Sequence, residues 1–84
     1  MKKPKKKQVK PPKDSLIIDY GRTRVIMPYR VSLIEYYEAE LLLIDKWCEQ
    51  TFKLDTWRRG GLFPGYIYFI KASDATMFLL RWGR

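Results

Sequence analysis

The sequence predicts a small α+β fold, in which three strands form a mainly antiparallel sheet and a long and a short helix cover one face. Three segments lead to this prediction, in the order β-β-α-β-α. Residues 16–28 alternate around a glycine turn, residues 32–51 have apolar side chains at helical spacing, and residues 66–71 form an aromatic, β-branched run ahead of a second helical segment. Helices that bury one stripe against one sheet give a two-layer domain.

The first segment, residues 16–28, is typical of a β-hairpin. Leu16, Ile18 and Tyr20 alternate with Ile17 and Asp19. Glycine at the first central position of the Gly21-Arg22 turn suits type II′. Pro28 ends the returning strand because it has no N–H to donate.

The second segment predicts the long helix, from Ser32 to about Thr51. Ser32 and Glu35 have the spacing of a capping box. One stripe at helical spacing comprises Leu33, Tyr37, Leu41, Ile44 and Cys48. Five acids against Lys46 give this helix an acidic outer side that could attract a basic segment.

The rest of the chain is expected to hold a long connection, a strand and a short helix. Residues 52–65 lack periodicity and contain Arg58-Arg59-Gly60-Gly61 and Pro64-Gly65, so they are interpreted as a connection. Residues 66–71 predict the clearest strand in the chain. Ser73 is expected to cap a helix over residues 75–82, and Gly83 follows in the usual C-terminal position.

Charge divides the 84-residue chain into a basic arm, residues 1–14, and an α+β domain, residues 15–84. The arm holds seven lysines against one acid, Asp14, and the rest of the chain holds ten basic and eight acidic residues. The arm has almost nothing apolar to bury, so it is predicted to be disordered. Basic blocks of this kind are usually solvated tails, and they often meet nucleic acid, acidic protein or anionic lipid.

Composition argues against catalysis and against metal or cofactor binding. The chain has one cysteine, Cys48, and no histidine, so Ser-His and Cys-His nucleophilic pairs are impossible and a zinc site would need carboxylates alone. We therefore expect no catalytic residue, no metal and no cofactor. A single cysteine excludes an internal disulfide, which favours an intracellular, cytoplasmic setting. Neither a secretory signal nor a membrane span is expected, so no membrane partner is expected either. Lys-Lys-Pro-Lys-Lys-Lys also fits a nuclear-import signal.

Two groups of cations are the candidate nucleic-acid contacts. Lysines that meet phosphates release condensed counterions, which gives affinity without sequence specificity and a strong dependence on salt. Adjacent guanidinium groups beside flexible glycines can hold a phosphate bidentately. The candidates are Lys2, Lys3, Lys5, Lys6, Lys7, Lys10, Lys13, Arg58 and Arg59. The alternative readings are a solubilising tail and an ordinary exposed loop.

Four aromatic side chains are the candidate protein contacts, namely Trp57, Tyr66, Tyr68 and Trp82. In a sheet covered on one side only, one set of residues in the strand 66–71 faces solvent, as in modules that stack RNA bases. An RNP1-like run is missing from the strand, however. Tyrosine and tryptophan are equally favoured at protein interfaces, and a packed strand is the third alternative.

The last part of the chain, from Tyr68-Phe69-Ile70-Lys71 through Asp74-Ala75 to Arg81-Trp82-Gly83, resembles the ending of small uncharacterised proteins of tailed bacteriophages. This resemblance covers about the last 18 residues and has no active site to carry over. It implies a phage-encoded accessory, virion or host-takeover protein.

Two functional hypotheses follow from the sequence. The first is a non-enzymatic accessory protein that binds DNA or RNA through its lysine arm. The second is a protein-interaction module with exposed aromatics, either an inhibitor of a host protein or a structural subunit of a particle; its arm would meet an acidic protein surface or packaged nucleic acid within a larger assembly.

Overall fold

A computed structural model describes residues 13–83 and shows an α+β fold with two helices and two antiparallel sheets. The elements in chain order are β1 Leu16–Asp19, β2 Arg24–Met27, β3 Tyr29–Ser32, α1 Glu38–Thr51, β4 Trp57–Gly60, β5 Tyr66–Phe69 and α2 Ala72–Trp82. The predicted fold class and the antiparallel pairing are confirmed. The arrangement of strands is different from the single three-stranded sheet that the sequence predicts.

The hairpin predicted for residues 16–28 is confirmed and forms a sheet of its own. Strands β1 and β2 pair from Leu16 opposite Met27 to Asp19 opposite Arg24. The Tyr20 N–H donates to the Thr23 carbonyl oxygen at 2.8 Å, which closes the turn. Gly21 has φ +89°, a conformation that glycine adopts without a Cβ penalty.

The second sheet has the order β3-β5-β4, and two of its strands were missed in the sequence. The predicted strand β5 lies in the centre, between β3 and β4, and pairs antiparallel with both. Strand β3 covers Tyr29–Ser32, which includes the residue interpreted as a helix cap. Strand β4 lies within the segment that was predicted to be a connection. It was missed because its two arginines and its glycine do not give the apolar-polar alternation of a typical strand, although an edge strand tolerates them.

Helix α1 begins at Glu38, six residues later than predicted. Ser32 belongs to β3, and the backbone N–H of Tyr37 donates to Oε1 of Glu40 at 2.8 Å, so the reciprocal contact of a capping box occurs at Tyr37 and Glu40 instead. The predicted stripe is correct for Leu41, Ile44 and Cys48, which are buried. It is wrong for Tyr37, which is 76% exposed at the start of the helix.

Helix α2 begins earlier than predicted, at Ala72, with Lys71 in the N-cap position. Ser73 therefore lies inside the helix and does not cap it. Asp74 lies in the first turn, where a negative charge is favourable, as expected. The helix ends at Trp82, and the Gly83 N–H donates to the Leu79 carbonyl at 2.8 Å, so the predicted end is correct.

The main core lies between the β3-β5-β4 sheet and the two helices. Its central side chains are Leu33, Leu41, Ile44, Cys48, Phe52, Ile67, Phe69 and Phe78. Trp47 joins the helices, since its ring packs edge-on against Phe52, Phe78 and Trp82 at centroid distances of 5.4 to 6.3 Å. The Tyr36 hydroxyl also donates to the Trp82 carbonyl. We call this side of the sheet the helix face.

The hairpin contributes to the opposite face of the same sheet. A methyl group built on Gly60 would lie 3.2 Å from Cε1 of Tyr68 and 3.9 Å from Cδ1 of Leu16, so the hairpin residue Leu16 lies over β4 and β5. Tyr68 and Met27 are buried without belonging to the core of the helix face. The sheet is therefore packed on one face by helices and partly on the other by the hairpin.

Candidate nucleic-acid interface

The face that the hairpin partly covers carries two arginines in one cross-strand row. Arg30 of β3 and Arg58 of β4 are both register partners of Tyr68, the residue between them on β5. Directly opposite residues in antiparallel strands project to the same side of the sheet. Because Tyr66 lies two residues from Tyr68, it projects there too. We call the side that carries Arg30, Arg58, Tyr66 and Tyr68 the arginine face.

Arg30 is held in place by a ring and a carboxylate. Its guanidinium carbon lies 3.9 Å from the centroid of the Tyr66 ring, within the range of a cation–π contact. One of its terminal nitrogens lies 3.4 Å from Oδ2 of Asp14. The Arg30 side chain keeps about a third of its surface exposed in this arrangement. The guanidinium is thus positioned on the arginine face and still accessible to an anion.

The contact with Asp14 fixes where the basic arm leaves the fold. Asp14 is the last residue of the predicted arm, and it directly precedes the hairpin. Lys13 is exposed beside it. The other six lysine candidates, Lys2 to Lys10, lie outside the described residues, as does most of the predicted disordered arm. The last residue of the predicted arm therefore lies next to Arg30.

The two adjacent arginines of the sequence do not act together. Arg58 is exposed on the arginine face, whereas Arg59 projects to the helix face. There Nη1 of Arg59 donates to Oδ2 of Asp45 at 2.8 Å, and both side chains are about two-thirds to three-quarters covered. Neighbouring residues on a strand point to opposite faces, so the expected bidentate clamp by Arg58 and Arg59 does not form.

Of the four aromatic candidates, one is buried and three are half-buried. Tyr68 is 8% exposed, between the hairpin and the sheet. Tyr66, Trp57 and Trp82 are half-buried, and the two tryptophans pack against the core of the helix face. The large apolar side chains that are most exposed are others, including Leu62 at 92% and Leu80 at 83%.

Cys48, the only thiol, is fully buried in the core. Burial raises its pKa to about 12, and the nearby Asp45 carboxylate acts in the same direction while Arg59 opposes it. A thiol with this pKa is a poor nucleophile. Within residues 13–83 there is no group of three or more potential metal ligands, and no helix long and apolar enough to cross a bilayer.

Arg30 is the residue of this site that the sequence did not reveal. It belongs to strand β3, whose first three residues were assigned to no element from the sequence and whose last residue, Ser32, was predicted to cap the helix. The available signal was the alternation of β-formers Tyr29 and Val31 after Pro28, which favours a short strand. Its pairing with β5 and its contact with Asp14 are long-range features that no local pattern shows.

Comparisons of this chain with protein-family models, curated proteins and solved structures gave no match.

Proposed function

We propose that this protein is a non-enzymatic accessory protein that binds nucleic acid through the arginine face and the lysine arm together. The observation that carries the proposal is the ion pair between Asp14 and Arg30, because it brings the origin of the arm to the face that carries two accessible guanidinium groups. Phosphate contacts by clustered cations supply affinity that is largely independent of sequence.

Charge distribution supports this division of roles. The arm carries seven lysines, and the rest of the chain is nearly balanced. The arm therefore supplies most of the attraction, and Arg30 and Arg58 fix where the backbone of the nucleic acid crosses the domain. Arg59 takes no part in this proposal because it projects to the helix face, away from Arg30 and Arg58, where it is bonded to Asp45.

The proposal is tested by oligonucleotide binding across a salt series. Labelled single- and double-stranded oligonucleotides are titrated with the full chain and with a variant that lacks residues 2–12 but keeps Lys13 and Asp14. We expect dissociation constants of about micromolar or tighter for the full chain, and a salt slope that becomes shallower by up to about five on deletion, since each phosphate contact contributes about 0.7 to 0.9. Absence of binding at low salt would overturn the proposal.

A second candidate function, a protein-interaction module, is favoured by the exposed apolar side chains. Ile34, Leu62 and Phe63 line a cavity of about 520 Å³ at the end of the sheet where β5 begins, and each is more than two-thirds exposed. Contiguous exposed apolar surface commonly marks a contact with another protein. The inhibitor of a host protein and the subunit of a particle are the two forms of this hypothesis.

The two functions differ in which part of the chain they require. If the protein acts by docking to another protein, the chain without residues 2–12 retains its partner, and the double substitution Leu62→Ser with Phe63→Ser removes it. If it acts on nucleic acid, the same double substitution leaves oligonucleotide affinity within about threefold of the parent, because neither side chain carries a charge.

A further inference from the structure

Strand β4 is an edge of the three-stranded sheet, and no strand among residues 13–83 pairs with its outer side. An unpaired edge presents a row of backbone donors and acceptors that can template another strand. Natural edges are often protected by a bulge, a proline, charged side chains or a covering helix. Trp57-Arg58-Arg59-Gly60 has neither a bulge in its register nor a proline, and its protection is limited to the charges of Arg58 and Arg59 and to α1, which lies beside it across a cavity.

The hydrogen-bond pattern identifies which backbone groups of β4 face outwards. The Ile70 N–H donates to the Thr56 carbonyl, so these two residues form a hydrogen-bonded pair. In antiparallel ladders hydrogen-bonded and non-hydrogen-bonded pairs alternate. The hydrogen-bonded pairs between β4 and β5 are therefore Arg58 with Tyr68 and Gly60 with Tyr66. The N–H and C=O groups of Trp57 and Arg59 point to the free edge.

A trough accompanies this edge over its whole length. Two adjoining cavities of about 540 and 320 Å³ share Glu49, Trp57 and Arg58 as lining residues. Exposed apolar side chains stand at its two ends, Phe63 beyond the C-terminal end of β4 and Leu54 before its N-terminal end. A strand of four residues spans roughly 13 Å, so the trough accepts a short extended segment.

We propose that this edge binds an extended peptide of another protein as an added antiparallel strand, with an acidic residue at its centre and apolar residues on both sides. The ligand would bond to the backbone groups of Trp57 and Arg59. Its central residue would then lie opposite Arg58 in a non-hydrogen-bonded pair, where side chains are closest, and project with it to the arginine face. Arg58 is exposed and has no ion-pair partner among the described residues, so a carboxylate complements it.

The flanking residues of the ligand follow from the same register. They lie opposite Trp57 and Arg59 and project to the helix face, where Asp45 already neutralises Arg59 and the half-buried Trp57 ring offers apolar surface. Apolar side chains suit these positions. Binding of this kind combines main-chain hydrogen bonds for affinity with alternate side chains for specificity.

The same chemistry disfavours two other occupants. A second copy paired symmetrically about the two outward-facing residues would place Arg58 opposite Arg58, and like charges directly opposite destabilise a sheet. A lysine-rich segment such as residues 2–7 would meet the same repulsion. A phosphate backbone has no N–H and C=O ladder and would not depend on the edge.

The test compares two variants that differ in one backbone N–H. Arg59→Pro removes the outward N–H and leaves the ladder to β5 intact, whereas Arg59→Ala removes the same side chain and keeps the N–H. A displayed library of random nine-residue peptides is selected on the full-length parent, in which Arg59 pairs with Asp45. The enriched peptides are then titrated against full-length Arg59→Ala and full-length Arg59→Pro, which both lack that ion pair. Both proteins carry the same lysine arm, so capture of acidic peptides by the arm is equal for the two.

We expect peptides with an acidic residue between two apolar residues to be enriched on the parent, and to bind at least tenfold more weakly to Arg59→Pro than to Arg59→Ala. Equal binding to the two variants, or no enrichment of such peptides on the parent, would overturn the proposal. Arg58→Glu supplies a second measurement that does not depend on proline: it is expected to reverse the preference, so that lysine replaces the central acidic residue. An unchanged preference for the acidic peptide would contradict the assigned register.

Discussion

Cys48 shows how burial controls the chemistry of a single side chain in this protein. It lies in the core beside Asp45, and its pKa is raised from an ordinary value near 9 to about 12. The neutral thiol is therefore favoured in the folded state. Since the folded state holds this proton more tightly than the unfolded state, the stabilisation is fully present below pH 9 and is lost as the pH rises towards 12.

This linkage predicts the pH dependence of a matched pair of proteins. The difference in unfolding free energy between the parent and Cys48→Ala is expected to be constant up to about pH 8.5. It should then shrink by about 1 kcal/mol or more for each pH unit between 9 and 12. Urea denaturation at a series of pH values measures it, and the variant serves as control for tyrosine and lysine titration. A difference that stays constant to pH 11 would contradict the shifted pKa.

Gly65 illustrates a position where no other residue fits. It has φ +72°, and a methyl group built on it would lie 2.3 Å from the carbonyl oxygen of Gly60. Gly21 has a similar φ of +89° but no atom within 4 Å of such a methyl group. A substitution at Gly21 therefore introduces backbone strain alone, whereas one at Gly65 introduces backbone strain and a steric overlap.

Alanine substitution at the two glycines is expected to give unequal losses of stability. Gly21→Ala should cost about 1 to 2 kcal/mol from the left-handed conformation alone. Gly65→Ala should cost about 1 to 3 kcal/mol more, because the loop must shift to relieve the overlap. Thermal or urea denaturation of both variants provides the measurement. Equal losses would show that the Gly60–Gly65 contact is not tight in solution.

At the scale of elements, the local patterns of the sequence account for the hairpin, strand β5 and the C-terminal ends of both helices. Strand β5 was recognisable because Tyr66-Ile67-Tyr68-Phe69 is aromatic and β-branched between turn residues. Strands β3 and β4 escaped prediction because they exist through pairing with β5, a long-range contact, and β4 has an Arg-Arg-Gly composition that favours a loop. The start of α1 was misplaced since Ser32 and Glu35 have the spacing of a cap.

The same long-range pairing explains why the candidate site was predicted only in part. Arg58 was recognised, but the alternation of a strand separates it from Arg59 and joins it to Arg30 through Tyr68. Residue types alone indicated which side chains can bind a phosphate. The strands β3 and β4 determine which of these side chains share a face, and the local sequence does not predict those strands.

The assigned hydrogen-bond pattern of β4 predicts opposite responses to proline at adjacent positions. Arg58→Pro removes an N–H that bonds to β5 and should destabilise the protein by more than about 2 kcal/mol. Arg59→Pro removes an outward N–H, so beyond the loss of its ion pair, which Arg59→Ala measures, it should cost less than about 1 kcal/mol. Urea denaturation of Arg58→Pro, Arg59→Pro and Arg59→Ala measures these losses of stability. A larger loss for Arg59→Pro than for Arg58→Pro would contradict the assigned hydrogen-bond pattern.

At the scale of the whole molecule, the core is small and depends on a few large side chains. A domain of this size has a free energy of unfolding of about 4 to 10 kcal/mol. Phe69 and Phe78 are fully buried and in contact, with centroids 5.7 Å apart. Many other apolar side chains lie at the surface and contribute little to the core. Loss of one of these rings therefore removes a large part of the free energy of unfolding.

We therefore expect Phe78→Ala to remove about 3 to 5 kcal/mol, which takes the protein close to unfolding at 25 °C. Leu80→Ala, on the same helix but 83% exposed, is the matched control and should change stability by less than about 0.5 kcal/mol. Far-ultraviolet circular dichroism with urea denaturation compares them. Similar effects at the two positions would contradict the assigned packing of α2 on the sheet.

The central claim is that nucleic acid crosses the arginine face, and a charge-matched comparison tests it most directly. Arg30→Gln with Arg58→Gln removes two cations from that face, and Lys46→Gln with Lys53→Gln removes two exposed cations from α1 and the segment that follows it. Binding of a labelled single-stranded oligonucleotide is measured between 50 and 200 mM salt.

The account predicts a salt slope about 1.4 shallower for the arginine variant, at about 0.7 for each lost phosphate contact in single strands, together with at least tenfold weaker binding at 100 mM salt. The lysine variant should stay within threefold of the parent. Equal weakening of both variants would show that only net charge matters, and it would contradict an interface on the arginine face.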